Sequence, residues 1–99
     1  MSPSEPYEQK AYPAYNHTKK RFPSFFRKRL NEAEDEIAID PFIGEEKAGD
    51  LKGIRVYKFK IFDQQILLAY QIDSHRKVVM FMAVGGHENF YRDLKRYLR

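Results

Sequence analysis

Two short segments of the sequence carry residue types suited to phosphate chemistry. The first contains Lys58 and Lys60, which alternate with apolar residues in a run typical of a β-strand. On a strand, these lysines share a face with Ile54 and Val56, and their two ammonium groups suit neighbouring phosphates. A half-exposed strand whose lysines only increase solubility would show the same pattern, so both interpretations stay open.

The second segment follows Gly85 and Gly86, which allow the backbone to turn sharply. His87 and Tyr91 are four residues apart and would lie on one side of a first helical turn. An imidazole and a phenol in this arrangement can transfer protons during phosphoryl transfer. The alternative is that His87 caps the helix and Tyr91 packs in the core.

Thiol, metal and nucleotide chemistry have little support in the sequence. The chain contains no cysteine, which excludes disulfides, thiolate zinc sites and cysteine nucleophiles and favours a reducing compartment. His17, His75 and His87 lack the close spacing of metal ligands, and no phosphate-binding loop or nucleotide-binding glycine motif is present. We therefore expect neither a metal nor a cofactor.

The hydropathy pattern predicts no membrane segment. The longest uninterrupted apolar run, from Val78 to Val84, is far shorter than the roughly 18 residues of a spanning helix. The first residues lack the apolar stretch of a signal peptide. We expect a soluble, cytoplasmic protein with no membrane partner.

Charge is distributed unevenly along the chain. The formal net charge is +4 and the pI is near 9.3. Residues 1–30 carry seven basic and two acidic side chains, residues 31–50 one basic and eight acidic, and residues 51–99 ten basic and four acidic. Basic surfaces attract polyanions, which makes nucleic acid the leading partner class, although many small proteins carry such residues for solubility alone.

Hydrophobic periodicity predicts a helix before the strands. With 99 residues, of which 42% are hydrophobic, the chain suits a single domain with one core. Apolar residues recur with helical spacing at Phe22, Phe26, Leu30, Ala33 and Ile37. We predict one helical region from about Phe22 to Ile39, with Pro23 in its first turn and Pro41 ending it.

Three strand-like runs follow, at Ile54 to Ile61, Ile66 to Ile72 and Lys77 to Val84. The turns between them are short, which predicts an antiparallel three-stranded meander, and Gly85-Gly86 should end its third strand. A second amphipathic stripe predicts a basic C-terminal helix starting near Glu88.

The segment of residues 1–16 contains three prolines and predicts a loosely structured N-terminus, or an edge strand near Tyr7 to Tyr12. Residues 17–99 then form a single domain. The expected fold class is α+β, with a helical N-terminal region packed on a small antiparallel sheet and a C-terminal helix.

The order of these segments resembles the RelE/ParE superfamily of bacterial toxins, from about Phe22 to Leu98. The resemblance depends on Leu51-Lys52-Gly53 before the first meander strand and on the Gly-x-His-x-x-x-Tyr pattern that ends at Tyr91. It implies the toxin of a type II toxin–antitoxin pair, inhibited by a cognate antitoxin. Many members of the superfamily cut messenger RNA, usually within the ribosome, whereas others inhibit DNA gyrase.

The resemblance also implies roles for individual residues. Lys58 and Lys60 match the paired strand lysines of RelE-like ribonucleases, and His87 with Tyr91 matches the catalytic histidine and its aromatic partner in the YafQ-like branch. Where RelE-like enzymes often carry an arginine, this sequence has Gln65-Ile66-Leu67-Leu68, and Arg55 or Arg92 are the candidate replacements. The basic residues predicted to contact RNA are Arg55, Lys52, Arg92 and Lys95.

Three functions follow from this pattern. The first is a metal-independent endoribonuclease, in which the ribose 2′-hydroxyl attacks the adjacent phosphate. The second is a gyrase inhibitor, and the third is a domain that only binds an antitoxin. His87 and Tyr91 favour the first function, because neither binding function needs a proton-transfer pair.

Overall fold

The computed structural model describes residues 5–86 and 90–96. Its elements are, in chain order, β1 (Glu8–Ala11), α1 (Pro13–Lys20), α2 (Ser24–Ile39), β2 (Glu45–Glu46), β3 (Arg55–Ile61), β4 (Gln64–Asp73), β5 (Val78–Gly86) and α3 (Phe90–Arg96). Two single 3₁₀ turns, at Pro41–Ile43 and Gly49–Leu51, lie between α2 and β3. The α+β class is confirmed.

The sheet has five strands in the order β1-β5-β4-β3-β2. Strands β3, β4 and β5 form the predicted antiparallel meander, and β1 is the edge strand considered for the N-terminus. However, β1 pairs parallel to β5, with Glu8 beside Val78 and Ala11 beside Phe81, so the expectation of a purely antiparallel sheet was wrong. A four-residue, largely exposed strand carries no periodicity that specifies the direction of its pairing.

The N-terminal helical region is two helices rather than one, which corrects the predicted start at Phe22. Helix α1 begins at Pro13, whose fixed φ suits the first helical position, and α2 begins at Ser24 after Pro23. The end of α2 at Ile39 agrees with the prediction. Tyr15 is the one buried residue of α1, so this helix has no apolar stripe that a periodicity analysis could detect.

The third meander strand also runs further than predicted. Gly85 and Gly86 continue β5, where they lie opposite Leu67 and Ile66 of β4. Glycine weakens a strand by its backbone entropy, but the ladder of β4 supplies partners that hold the extended conformation.

The helices cover the two faces of the sheet unequally. Helices α1 and α2 pack on one face, where the core includes Tyr15, Leu30, Ile37, Leu68 and Tyr70. Helix α3 packs on the other face through Phe90 and Leu94, against a smaller cluster made of Leu51, Ile54, Val56, Leu67, Ala69 and Met82. We call these the two-helix face and the α3 face. In the described part of the chain, no helix combines the length and hydrophobicity needed to cross a lipid bilayer.

Candidate functional site

The two strand lysines lie side by side on the α3 face. Lys58 and Lys60 are both exposed, whereas Phe59 between them is buried in the core of the two-helix face. The smaller cluster under α3 includes Val56 but stops before Lys58. The predicted alternation of β3 is therefore confirmed, and both ammonium groups extend from the uncovered end of the strand.

A third cation, Lys47, joins this surface from the neighbouring strand segment. Its backbone amide donates a hydrogen bond of 2.9 Å to the carbonyl of Ile54, which continues the pairing of β2 with β3. Its Nζ also donates to Glu45 Oε1 at 3.0 Å. Glu45 lies opposite Val56, which places its side chain on the α3 face with Lys58.

The electrostatics link these three side chains. The hydrogen bond and charge of Lys47 lower the pKa of the Glu45 carboxyl, and the charge of Lys58 lowers that pKa further. The same hydrogen bond raises the pKa of Lys47. Lys47, Glu45 and Lys58 therefore form one charge cluster, which with Lys60 we call the lysine surface.

Tyr91 borders the lysine surface from α3. The Nζ of Lys47 lies 5.5 Å from the centre of the Tyr91 ring, a distance typical of a cation–π contact. Tyr91 is half-buried, and its ring packs edge-on against Phe90 with the centroids 5.2 Å apart. The residue thus packs at the rim of the α3 cluster and also reaches the cations, while its catalytic role stays a prediction.

The other predicted proton-transfer residue, His87, lies outside the described residues. The same holds for Glu88, at which the C-terminal helix was expected to begin. The catalytic role of His87 is therefore a prediction from the sequence alone.

Arg55 is not brought together with the lysines. Its guanidinium donates a hydrogen bond of 2.6 Å to the carbonyl of Gly44 and stacks 4.9 Å from the ring centre of Phe42. Because side chains alternate along β3, Arg55 lies on the face opposite Lys58. Any contact of Arg55 with RNA would be made away from the lysine surface.

The remaining predicted RNA contacts are exposed side chains near α3. Arg92 and Lys95 are exposed on α3, and Lys95 Nζ lies 4.0 Å from Asp50 Oδ2. Lys52 is exposed in the turn before β3. Tyr91 and Lys95 are four residues apart and share one side of α3, which places Lys95 on the same side as the rim of the lysine surface.

Sequence reasoning missed Lys47. It is the one basic residue among the acidic residues 31–50, and a two-residue strand gives no periodic signal. Within the described residues, no group of three or more histidine or acidic side chains is placed to hold a metal ion. The described residues of the lysine surface and its rim carry ammonium groups, one carboxylate and one phenol.

Comparison with known proteins gives a family match. The model of the family described as "ParE-like toxin of type II bacterial toxin-antitoxin system" matches residues 10–95. No curated protein sequence matches the chain at a significant level.

Solved structures with the same fold include several toxins. The toxin–antitoxin complex RelBE2 from Mycobacterium tuberculosis superposes with a TM-score of 0.73 at 18% identity, covering 83% of this chain and 99% of that chain. A mutant of Escherichia coli toxin RelE in the free state gives 0.72 at 21% identity, covering 95% and 99%. The archaeal RelE–RelB complex from Pyrococcus horikoshii gives 0.60 at 18% identity, covering 83% and 96%. At these identities, the likeness establishes a shared fold.

Proposed function

Because the chain belongs to the family of ParE-like toxins of type II bacterial toxin–antitoxin systems, we propose that this toxin acts as an endoribonuclease. One observation carries the proposal: Lys58 and Lys60 are exposed on one strand face, with Lys47 and Tyr91 beside them. This surface offers a polyanion several ammonium groups within one charge cluster.

The proposed reaction is cleavage by the neighbouring ribose. The 2′-hydroxyl of the RNA loses its proton to a base and attacks the adjacent phosphorus, and the bond to the 5′-oxygen breaks as that oxygen gains a proton. The products are a 2′,3′-cyclic phosphate and a free 5′-hydroxyl. Lys58 and Lys60 stabilise the negative charge that develops on the phosphate oxygens, which is the largest contribution a fixed cation makes to such a step.

Proton transfer is the second requirement of the reaction. Tyr91 lies at the rim of the lysine surface, and His87 precedes it by four residues in the sequence. We assign the proton-transfer roles to this pair. Lys47 holds its ammonium against the Tyr91 ring, and we expect it to position the phenol.

The family supports a proposal for the substrate and one for the partner. We propose messenger RNA as the substrate, bound within the ribosome, in keeping with the resemblance to RelE-like ribonucleases. We also propose a cognate antitoxin, since RelBE2 and the archaeal RelE–RelB structure are toxin–antitoxin complexes. The basic side chains of the lysine surface and of α3 are suited to an acidic antitoxin segment.

The test is replacement of each strand lysine by alanine. We expect Lys58→Ala and Lys60→Ala each to lower the cleavage rate by about 10²–10³-fold, the usual effect of losing one group that stabilises transition-state charge. Each should also lower the slope of log K for RNA binding against log salt concentration by about one unit. The measurements are mapping of messenger RNA 5′ ends after brief induction and RNA titration at several salt concentrations. Lys10→Ala removes an exposed lysine from β1, which β5 and β4 separate from β3, and is the matched control.

Two outcomes would contradict the proposal. Intact transcripts with a DNA-damage response would identify the protein as a gyrase inhibitor. Intact transcripts and normal growth, with retained binding to an antitoxin, would leave a domain that only binds its partner.

A further inference from the structure

A strained and exposed phenylalanine lies at the tip of the β3–β4 hairpin. Ile61 pairs with Gln64, so the connection is a two-residue loop made of Phe62 and Asp63. Phe62 has a φ of +55°, a left-handed conformation that glycine or asparagine usually occupies at the first loop position. Its side chain is 80% exposed. Phenylalanine does not favour the positive φ of this turn, and its exposed ring adds nothing to the core.

A second exposed aromatic ring lies beside it. Phe25, in the first turn of α2, is 53% exposed, and its ring centroid lies 5.4 Å from that of Phe62 with an angle of 51° between the planes. Two elements distant in sequence thus present neighbouring aromatic rings to solvent. We call this pair the aromatic platform.

The charges near the platform are mainly positive. Lys60 precedes Phe62 by two residues, roughly 7 Å along the hairpin, but it lies on the α3 face, whereas Phe25 comes from α2 on the other face. An RNA strand that contacts both therefore passes round the tip of the hairpin. The first turn of α2 contains no acidic residue, and Lys28 and Arg29 lie three and four residues after Phe25, on its side of the helix. Arg29 is paired with Glu36 and Glu32, so Lys28 is the exposed cation of this helix side. Asp63 is the acidic neighbour of Phe62 in the loop. A ligand that carries both negative charge and flat rings matches this surface.

We propose that Phe25 and Phe62 form a stacking platform for one unpaired base of the RNA strand whose phosphates contact Lys58 and Lys60. Proteins that bind single-stranded nucleic acid combine a basic track with aromatic side chains in this way. The proposal rests on the proposed ribonuclease function and adds a contact outside the lysine surface. It also explains a residue that the hairpin tolerates at a conformational cost.

The test is Phe62→Gly, which removes the ring and suits a positive φ. Binding is measured by fluorescence anisotropy with a single-stranded RNA oligonucleotide carrying 2′-O-methyl groups, which cannot be cleaved by attack of the 2′-oxygen. We expect affinity to fall about 5- to 100-fold, the range found when one stacked base loses its aromatic partner. The melting temperature should not fall, because glycine relieves the left-handed strain. Phe62→Tyr keeps the ring and should bind as the native protein does.

A second probe assigns the effect to a base. A series of the same oligonucleotides, each with one abasic position, should contain one member that binds the native protein more weakly. Phe62→Gly should bind this member no more weakly than it binds the intact oligonucleotide, because the two changes remove the same contact. If the loss of affinity from Phe62→Gly adds to the loss from the abasic site at every position of the series, the platform is overturned.

The outcomes separate the platform from the ribonuclease proposal. RNA binding that depends on Lys58 but is unchanged in Phe62→Gly would overturn the platform and leave the ribonuclease proposal in place. A native protein that binds no oligonucleotide would overturn the platform, and one that also leaves transcripts intact after induction would overturn both proposals. Unchanged RNA binding in Phe62→Gly, with weaker retention of a co-expressed cognate antitoxin, would assign the two rings to that protein partner instead.

Discussion

The two faces of the sheet differ in how completely they are covered, and this difference separates the folding part of the molecule from its candidate site. On the two-helix face, α1 and α2 cover residues such as Leu68 and Tyr70, which have no exposed surface. On the other face, the seven-residue α3 covers only the smaller cluster. A short helix cannot cover a whole sheet face, so the end of β3 that carries Lys58 and Lys60 stays in water.

The two faces also differ in how deeply their acidic side chains are buried. Glu34, on α2, is the buried acidic residue of the described chain, at 7% exposure. Its carboxylate accepts hydrogen bonds from Tyr15 Oη at 2.6 Å and from Lys19 Nζ at 2.9 Å. On the α3 face, Glu45 is exposed and its partner Lys47 is half-buried, so their contact lies at the protein surface. Disrupting a buried ionic group costs much of the free energy of unfolding, whereas a pair with an exposed carboxylate contributes less to stability and stays available to a ligand.

The largest expected effect compares one residue from each face. Leu68→Ala should lower the free energy of unfolding by about 2–5 kcal/mol, because it leaves a cavity in the core of the two-helix face. Lys58→Ala should change this free energy by no more than about 0.5 kcal/mol, since the side chain is exposed. Urea denaturation of both variants measures the difference. Similar losses would show that the lysine is part of the packing of the sheet.

An intermediate effect is expected at the buried phenol. Tyr15→Phe removes one of the two side chains that donate hydrogen bonds to Glu34 and should lower the free energy of unfolding by about 1–3 kcal/mol. Burial, followed by the charge and hydrogen bond of Glu34, raises the pKa of Tyr15 well above its usual value. Above pH about 10, the unfolded chain therefore releases a proton that the folded protein retains, so stability is complete below that pH and falls as the pH rises.

Urea denaturation at pH values from about 8 to above 10 tests this direction of the pH dependence, because the range spans the pKa of an unfolded tyrosine, which is about 10. In Tyr15→Phe, the alkaline loss of stability should be smaller. The part that remains comes from Tyr57, Tyr70 and Lys47, whose pKa values are also raised. Tyr12→Phe removes an exposed hydroxyl and is the control for loss of a hydroxyl at neutral pH. A steeper alkaline loss in Tyr15→Phe would contradict the assignment.

The smallest effect is expected within the lysine surface. Glu45→Gln removes the negative charge beside Lys47 and Lys58, so RNA should bind about two- to fivefold more tightly at low salt. The gain should shrink as salt increases, because exposed charges are screened. Glu46→Gln removes the same charge from the neighbouring position of β2, which lies opposite Arg55, and should have less effect. Equal gains would show that only net charge matters.

The sequence by itself determined the elements whose apolar and polar residues repeat with a regular spacing along the chain. The alternation of β3 placed Lys58 and Lys60 on one face and Arg55 on the other, because successive side chains of a strand point in opposite directions. The helical spacing of the apolar positions identified α2, and Pro41 identified its end at Ile39. The short turns identified the meander. Each of these signals lies within one continuous segment, so the residues that make the pattern also make the structure.

Only the tertiary structure decided which separate segments meet. The parallel pairing of β1 with β5 joins residues about 70 positions apart in the chain, and a short polar strand does not encode its partner. The contact between Phe25 and Phe62 and the approach of Lys47 to Tyr91 arise in the same way. These contacts follow from how the helices pack on the two faces, and no single segment carries that information, because packing depends on the shapes of several elements at once.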